Sequence, residues 1–183
     1  LTYRDPDRVV VLAQGSPYFG IRMGFRDRET AVFRARSHSL EGLATYMWTN
    51  TVFQSPRRHR EVIAAEVGPQ FFNVLGVGPS RGQGLDGPET FLASYDFWKT
   101  ELRANPAAIG QNYEIGGRPM RLTGVMPRSF SFLSTPIGVW IEAGPEPAVP
   151  ASRWWLGLRG AIGRLRPGVS QADAEKELRE ILV

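Results

Sequence analysis

Hydrophobic and polar positions change period several times along this chain, and most changes fall at a residue suited to ending an element. Residues 8–14 hold a continuous apolar run, Val9-Val10-Val11-Leu12, after the turn-like Asp5-Pro6-Asp7. Gly15-Ser16-Pro17 closes it, so a first strand is predicted there. Residues 16–30 mix glycine, proline, arginine and aromatics without a period, which predicts an irregular segment, with a short strand around 30–35. Leu40, Leu43, Tyr46 and Met47 then recur at three- and four-residue spacing. That pattern predicts a helix capped by Ser39, with Glu41 in its first turn. Residues 49–54 are β-rich, and residues 61–67 predict a further strand.

Residues 66–132 carry the clearest punctuation. Pro69 suits a first helical position, where its missing N–H costs nothing. Phe71, Phe72 and Leu75 would share one face of the short helix that follows, and Gly76 would close it as a left-handed cap. Residues 78–89 are rich in glycine and proline and predict a loop. A short strand over 90–93 leads to a helix capped by Ser94. Asp96 lies early and Lys99 and Arg103 late in that helix, signs that suit its dipole. Tyr95, Trp98 and Leu102 form its apolar stripe. Residues 112–115 and 118–125 flank Gly116-Gly117, a pair that can supply the positive φ angles of a two-residue hairpin turn.

Beyond residue 132 the chain reads as loop up to a strand over 138–142. The prolines within 144–150 mark a linker, and a strand over 156–165 follows. Ser170 starts a last helix, with Asp173 as a variant of the capping box. Its buried face is Ala174, Leu178, Ile181 and Leu182, and Val169 can staple onto Ala174. Strand-then-helix grammar at both ends predicts one lobe from residues 1–56 plus 151–183, with an inserted lobe over 57–150. The fold class predicted is α+β, with mixed sheets and helices packed on one face. The last helical pattern runs to Val183 without a cap, which predicts that the natural chain continues.

Composition adds little specificity. At 183 residues, 42% hydrophobic and 22% charged, the chain can build one sizeable core, or one domain with two lobes. No apolar run approaches the roughly 20 residues needed to span a bilayer, and the N-terminal residues 1–8 do not read as a signal peptide. Cysteine is absent, which excludes a disulfide framework and cysteine-held metals. The net charge of +4 and a pI near 9.8 come from dispersed arginines, with one dense spot at Arg57-Arg58-His59-Arg60. A solvated loop accounts for that spot; lipid headgroups nearby are the alternative.

A search for chemistry returns mostly structural readings. The loop over 76–84 matches no phosphate-cradle spacing and has no lysine. His38 and His59 lack second ligands at metal spacing, and no nucleophile elbow accompanies His38. Asp96, Glu101, Asp173, Glu175, Glu177 and Glu180 read as helix-capping or solvent-facing, and Asp86 and Glu89 as loop residues. No catalytic, cofactor or metal residue is therefore assigned. Phe71, Phe72, Phe97, Trp98, Phe130 and Phe132 read as core. Arg153-Trp154-Trp155 is the candidate for partner contact, since adjacent tryptophans on a strand face opposite sides. Their covering a lobe junction is the structural alternative. No run supports nucleic-acid stacking.

The ordered motifs resemble one family. They are Val67-x-Pro69-x-Phe71-Phe72-x-Val74-Leu75-Gly76-Val77-x-Pro79, Ser94-Tyr95-Asp96-Phe97-Trp98, Asn105-Pro106-x-x-Ile109-Gly110, Gly116-Gly117-Arg118-Pro119 and Gly124-Val125-Met126-Pro127-x-x-Phe130. Together with residues 3–12 and 163–170, they are similar to the periplasmic core domain of MacB-like ABC transporter permeases, nearest to the large acidobacterial-type ones. The resemblance implies a two-lobed, non-catalytic extracytoplasmic domain between two membrane helices of a bacterial inner-membrane permease. It implies ATP hydrolysis on a separate ATPase subunit or domain, a permease dimer partner, and a possible periplasmic adaptor protein. Movement of the membrane helices would then be coupled to export or to a periplasmic partner. A carbohydrate- or peptidoglycan-binding module built on Trp154 and Trp155 is the alternative from a different class, and an enzyme using a carboxylate pair is a third.

Overall fold

The computed structural model describes residues 3–15, 22–56, 58–145 and 157–181. In chain order, strands β1 (Val9–Leu12), β2 (Gln14–Gly15) and β3 (Arg22–Met23) lead to helix α1 (Asp27–Arg36). Strands β4 (Leu40–Ser55) and β5 (Arg58–Val67) precede helix α2 (Phe71–Leu75). Strands β6 (Arg81–Gly82) and β7 (Thr90–Ala93) precede helix α3 (Tyr95–Glu101). The chain then forms β8 (Asn112–Ile115), β9 (Arg118–Val125), β10 (Val139–Glu142), β11 (Gly160–Leu165) and helix α4 (Gln171–Ile181). The fold is mixed α+β.

Among the described residues, two compact units divide the chain: one takes those within 48–67 and 77–144, the other those within 3–47, 68–76 and 145–181. The sequence reading placed the division at residues 56/57 and 150/151; in the structure β4 contributes its first half to one unit and its second half to the other, and α2 belongs with the chain ends.

In the unit of the chain ends, β1 and the first half of β4 flank β11, both antiparallel to it. Leu12, Leu43, Ala161 and Leu165 on these strands pack with Phe33 of α1 and with Ala174 and Ile181 of α4. The start of α1 is held by Glu29, whose Oε2 accepts from the Arg26 N–H at 2.8 Å. Phe25 and Phe33 meet edge to face, with ring centroids 5.4 Å apart. The start of α4 is held as the sequence indicates: the Asp173 N–H donates to Ser170 Oγ at 3.1 Å. Gly76 ends α2 at φ 65°, a conformation that glycine adopts without a Cβ clash.

Two predictions fail here. The helix expected after Ser39 is instead the beginning of β4, a 16-residue strand. Leu43, Ala44, Thr45 and Tyr46 are all buried, because this segment is covered on both sides; burial on both faces erases the alternation that marks a strand. The strand expected around 30–35 is instead part of α1, which buries only Thr30 and Phe33 and so shows no helical stripe. A smaller correction concerns Pro69: it sits in a turn, and Gln70 is the N-cap, in a left-handed conformation.

In the other unit the strand pairings close on themselves. The second half of β4 pairs with β5, β5 runs parallel to β10, and β10 is antiparallel to β7. Strand β7 is parallel to β9, β9 antiparallel to β8, and β8 returns to β4 through Phe53↔Ile115 and Gln54↔Glu114. Inside this ring lie Phe53, Phe91, Ile115, Met120, Leu122, Val125 and Val139. A closed ring leaves its strands no free edge. The hairpin turn forms at Gly116 and Gly117, with φ 58° and 76°. The predicted loop over 78–89 contains β6, which pairs with β9.

Candidate interaction surface

Helix α3 and the segment between β9 and β10 build an open groove of about 650 Å³ on the strand-ring unit. Ser94 starts α3 by accepting the Phe97 N–H on its Oγ at 3.2 Å, and its own N–H donates to the Gly138 carbonyl at 2.8 Å. The helix buries Phe97 and Trp98 in the ring's core, and the Trp98 indole N–H donates to the Asn105 carbonyl at 3.1 Å. Its other side, with Tyr95, Asp96 and Thr100, lines the groove. Opposite stand Ser129, Phe130, Ser131 and Thr135.

The end of α3 carries Glu101, which the sequence reads as helix-capping or solvent-facing. The Glu101 side chain is 3% exposed, and its Oε1 accepts from Arg60 Nη1 at 2.6 Å. Arg58 Nη1 stands 3.8 Å from its Oε2. From Arg58 on, the basic spot is therefore the start of β5 rather than a loop, and Arg58 and Arg60 hold the end of α3. His59, between them, is exposed. The polar wall of the groove is thus a fixed ion pair, with Arg128 placed 5.9 Å over the Tyr95 ring.

Aromatic contacts extend from this groove. Phe130 and Phe132 pack against Trp140 with centroids 5.2 and 6.1 Å away, and Phe132 meets Trp48 at 6.1 Å. Phe132 and Trp140 are buried, but Trp48 is 39% exposed and Leu133 is 47% exposed at the tip of the segment. Leu133 and Ser134 have positive φ angles of 48° and 54°, so the tip is a tight turn that holds an apolar side chain outward. An exposed tryptophan and an exposed leucine, joined through the buried Phe132 ring and its turn, form an apolar surface suited to a protein partner. Sequence reasoning missed it because Trp48 falls between the predicted helix and the β-rich residues 49–54, outside either pattern, and Leu133 lies in an unpatterned loop.

The partner-contact residues indicated by sequence, Arg153, Trp154 and Trp155, lie outside the described residues. His38 is exposed, and Asp86 stands 3.6 Å from Arg121 at the surface. Glu177, also read as solvent-facing, instead reaches the turn between α1 and β4. Its carboxylate accepts from the His38 N–H at 2.6 Å, Ser37 Oγ at 2.8 Å and the Ser39 N–H at 3.0 Å. Burial works against ionisation there, but the hydrogen bonds from His38, Ser39 and Ser37 outweigh it and hold the carboxyl down at about 2. Among the described residues no cluster of three histidine, cysteine or acidic side chains is placed to hold a metal. Nor, among them, is any helix long and apolar enough to cross a membrane.

Comparisons with known proteins agree on one family. The family profile of the MacB-like periplasmic core domain matches residues 2–181. Among solved structures, the periplasmic region of MacB from Actinobacillus actinomycetemcomitans is similar, with a TM-score of 0.72 at 14% identity over 96% of this chain and 82% of that one. The extracellular domain of the noncanonic ABC-type transporter YknZ from Gram-positive bacteria aligns with a TM-score of 0.69 at 9% identity, over 95% of this chain and 92% of that one. A domain of a putative permease from Porphyromonas gingivalis aligns with a TM-score of 0.66 at 17% identity, over 99% and 82%. No curated protein sequence matches the chain significantly. With the profile spanning all but the outermost residues, the chain belongs to the MacB-like periplasmic core domain family.

Proposed function

We propose that this chain is the extracytoplasmic, non-catalytic domain of a bacterial inner-membrane ABC transporter permease. In this reading, ATP hydrolysis takes place on a separate ATPase subunit or domain. Movement of the permease helices in a dimer is passed through this domain to substrate export or to a periplasmic partner such as an adaptor protein. The observation that carries the reading is the family match over residues 2–181. The closed strand ring supports it physically: every strand of the ring is paired on both sides, which resists bending and suits a body that transmits force. Residues from both chain ends share one compact unit, which supports a lobe built from both ends with a second lobe inserted. The groove beside α3, with Trp48 and Leu133, and the Arg153-Trp154-Trp155 run are the proposed partner contacts.

The test is topological and functional. The chain has no cysteine, so Lys99→Cys in the complete permease, with any other cysteines removed, is a single reporter. A membrane-impermeant maleimide should label it in intact spheroplasts and leave the ATPase rate unchanged. Labelling only after lysis would reject the extracytoplasmic placement. Leu133→Asp together with Trp48→Ala should abolish transport or partner capture while basal ATP hydrolysis persists; full transport by that variant would remove the Trp48–Leu133 surface from the proposal.

A further inference from the structure

Strand β11 carries an arginine on the face where it packs against α2. Arg164 is 1% exposed. Its Nε donates to the Val74 carbonyl at 2.7 Å, one of the last-turn carbonyls that α2 itself leaves without a helical donor. Among the described residues, Nη1 and Nη2 of Arg164 are buried without a hydrogen-bond partner. A guanidinium presents five donors in a rigid fork, and leaving two of its nitrogens unpaired away from water is costly.

Two more arginines converge there. The Arg4 N–H donates to the Leu75 carbonyl at 3.1 Å, which holds this part of the chain over the end of α2. Gly76 forms the floor: a Cβ at that position would lie 2.5 Å from Arg4 Cβ, 3.3 Å from Arg4 Nε and 3.4 Å from Arg164 Nη2. Arg8 donates from Nε to the Leu165 carbonyl at 2.8 Å, stands 3.2 Å from Asp5, and pairs with Glu41. Burial lowers the pKa of Arg164, and Arg4 and Arg8 lower it further, against Glu41 and Asp5. Three guanidinium groups thus face two carboxylates, and the uncompensated charge sits on the least solvated member. The Arg4–Glu41 pair is 3.5 Å apart with both side chains about half exposed, a pair that contributes little and exchanges readily.

We propose that Arg4, Arg8 and Arg164 form a binding site for a tetrahedral oxyanion of the phosphate class, seated above Gly76. Arg4 swings from Glu41 onto the anion and uncovers Arg164, whose Nη1 and Nη2 then donate to two oxygens of the anion in the bidentate manner that arginine favours. Arg8 stays on Glu41 and Asp5 and closes the positive rim. The phosphate can be free in solution or belong to a lipid headgroup. The proposal stands on this unit's geometry and does not depend on the transport reading.

The experiment titrates the 183-residue chain with inorganic phosphate against chloride at matched ionic strength, followed by calorimetry and thermal unfolding. Saturable, phosphate-specific binding is expected, weakened at least about tenfold by Arg4→Ala and by Arg164→Gln. Arg4 is exposed, so its variant remains informative if Arg164→Gln fails to fold. Arg166→Ala, an exposed neighbour, should bind as the native chain does. In a parallel arm, vesicles of phosphatidylglycerol or of phosphatidylcholine are sedimented with the chain. Arg4-dependent recovery with phosphatidylglycerol alone points to a headgroup; phosphate binding without vesicle recovery points to the free anion. Equal response to chloride and phosphate with no Arg4-dependent vesicle recovery overturns the proposal, as does phosphate binding that Arg4→Ala leaves intact.

Discussion

Glutamine at position 177 keeps the side-chain volume and removes the charge on which three donors converge. Ser37 Oγ and the backbone N–H groups of His38 and Ser39 all point at the Glu177 carboxylate, which ties α4 to the turn between α1 and β4. A carboxyl brought from its ordinary value of 4.5 down to about 2 corresponds to about 3 kcal/mol if undiminished. The group stands near solvent, and screening reduces the expected share to about 1.5 kcal/mol. Because the folded-state pKa is depressed, this stabilisation is fully present above about pH 4.5 and is lost as pH falls toward 2. Urea unfolding of the native chain and of Glu177→Gln at pH 7, 5, 4 and 3 measures the difference at each pH, with the m-value as a check on the unfolded state. The variant should be less stable by about 1.5 kcal/mol at pH 7, and the gap should narrow steadily below pH 4.5. A gap under about 0.5 kcal/mol at pH 7, or one that does not change with pH, would refute the assignment of the charge as the stabilising element.

Three further outcomes follow from the packing. Ser94→Ala removes the cap of α3 and should cost about 1 kcal/mol in chemical denaturation, with Ser94→Asp close to native. Arg60→Ala leaves the buried Glu101 carboxylate with only the more distant Arg58, and should cost about 2 kcal/mol, a loss that Glu101→Gln in the same chain partly restores. Gly160→Ala would place a Cβ 2.3 Å from the Tyr46 ring, which lies flat over that strand position, and should lower stability by about 1–3 kcal/mol; an unchanged denaturation midpoint would show that the ring moves away without loss.

The features legible in the sequence are those set by neighbouring residues. The β8–β9 hairpin, the Ser94 and Ser170 caps and the Gly76 terminus each need only a few adjacent positions, and each forms where the local chemistry directs it. The family motifs were equally readable because they are short and ordered. The features that escaped depend on distant partners. Leu40, Leu43 and Tyr46 imitate a helical stripe, but β11 draws them into a strand that is buried on both faces. Helix α1 carries too few buried residues to show a period. The roles of Glu101 and Glu177 come from Arg60 and from Ser37–Ser39, far away along the chain, and solvent-facing was the natural reading of helix carboxylates without those partners. Closure of the strand ring between β4 and β8 rests on two residue pairs that no local pattern announces.

The proposed force-transmitting role requires the strand-ring unit to move as one stiff piece when the transporter turns over. Pulsed electron–electron distance measurements on the complete permease with its ATPase address it directly. One sample carries spin labels at Thr49→Cys and Lys99→Cys within a single copy, and another carries Lys99→Cys on both copies of the dimer. Trapping ATP should leave the distance between positions 49 and 99 unchanged while the distance between the two copies shifts. An inter-copy distance indifferent to ATP, or a distance within the ring that changes with it, would contradict that role.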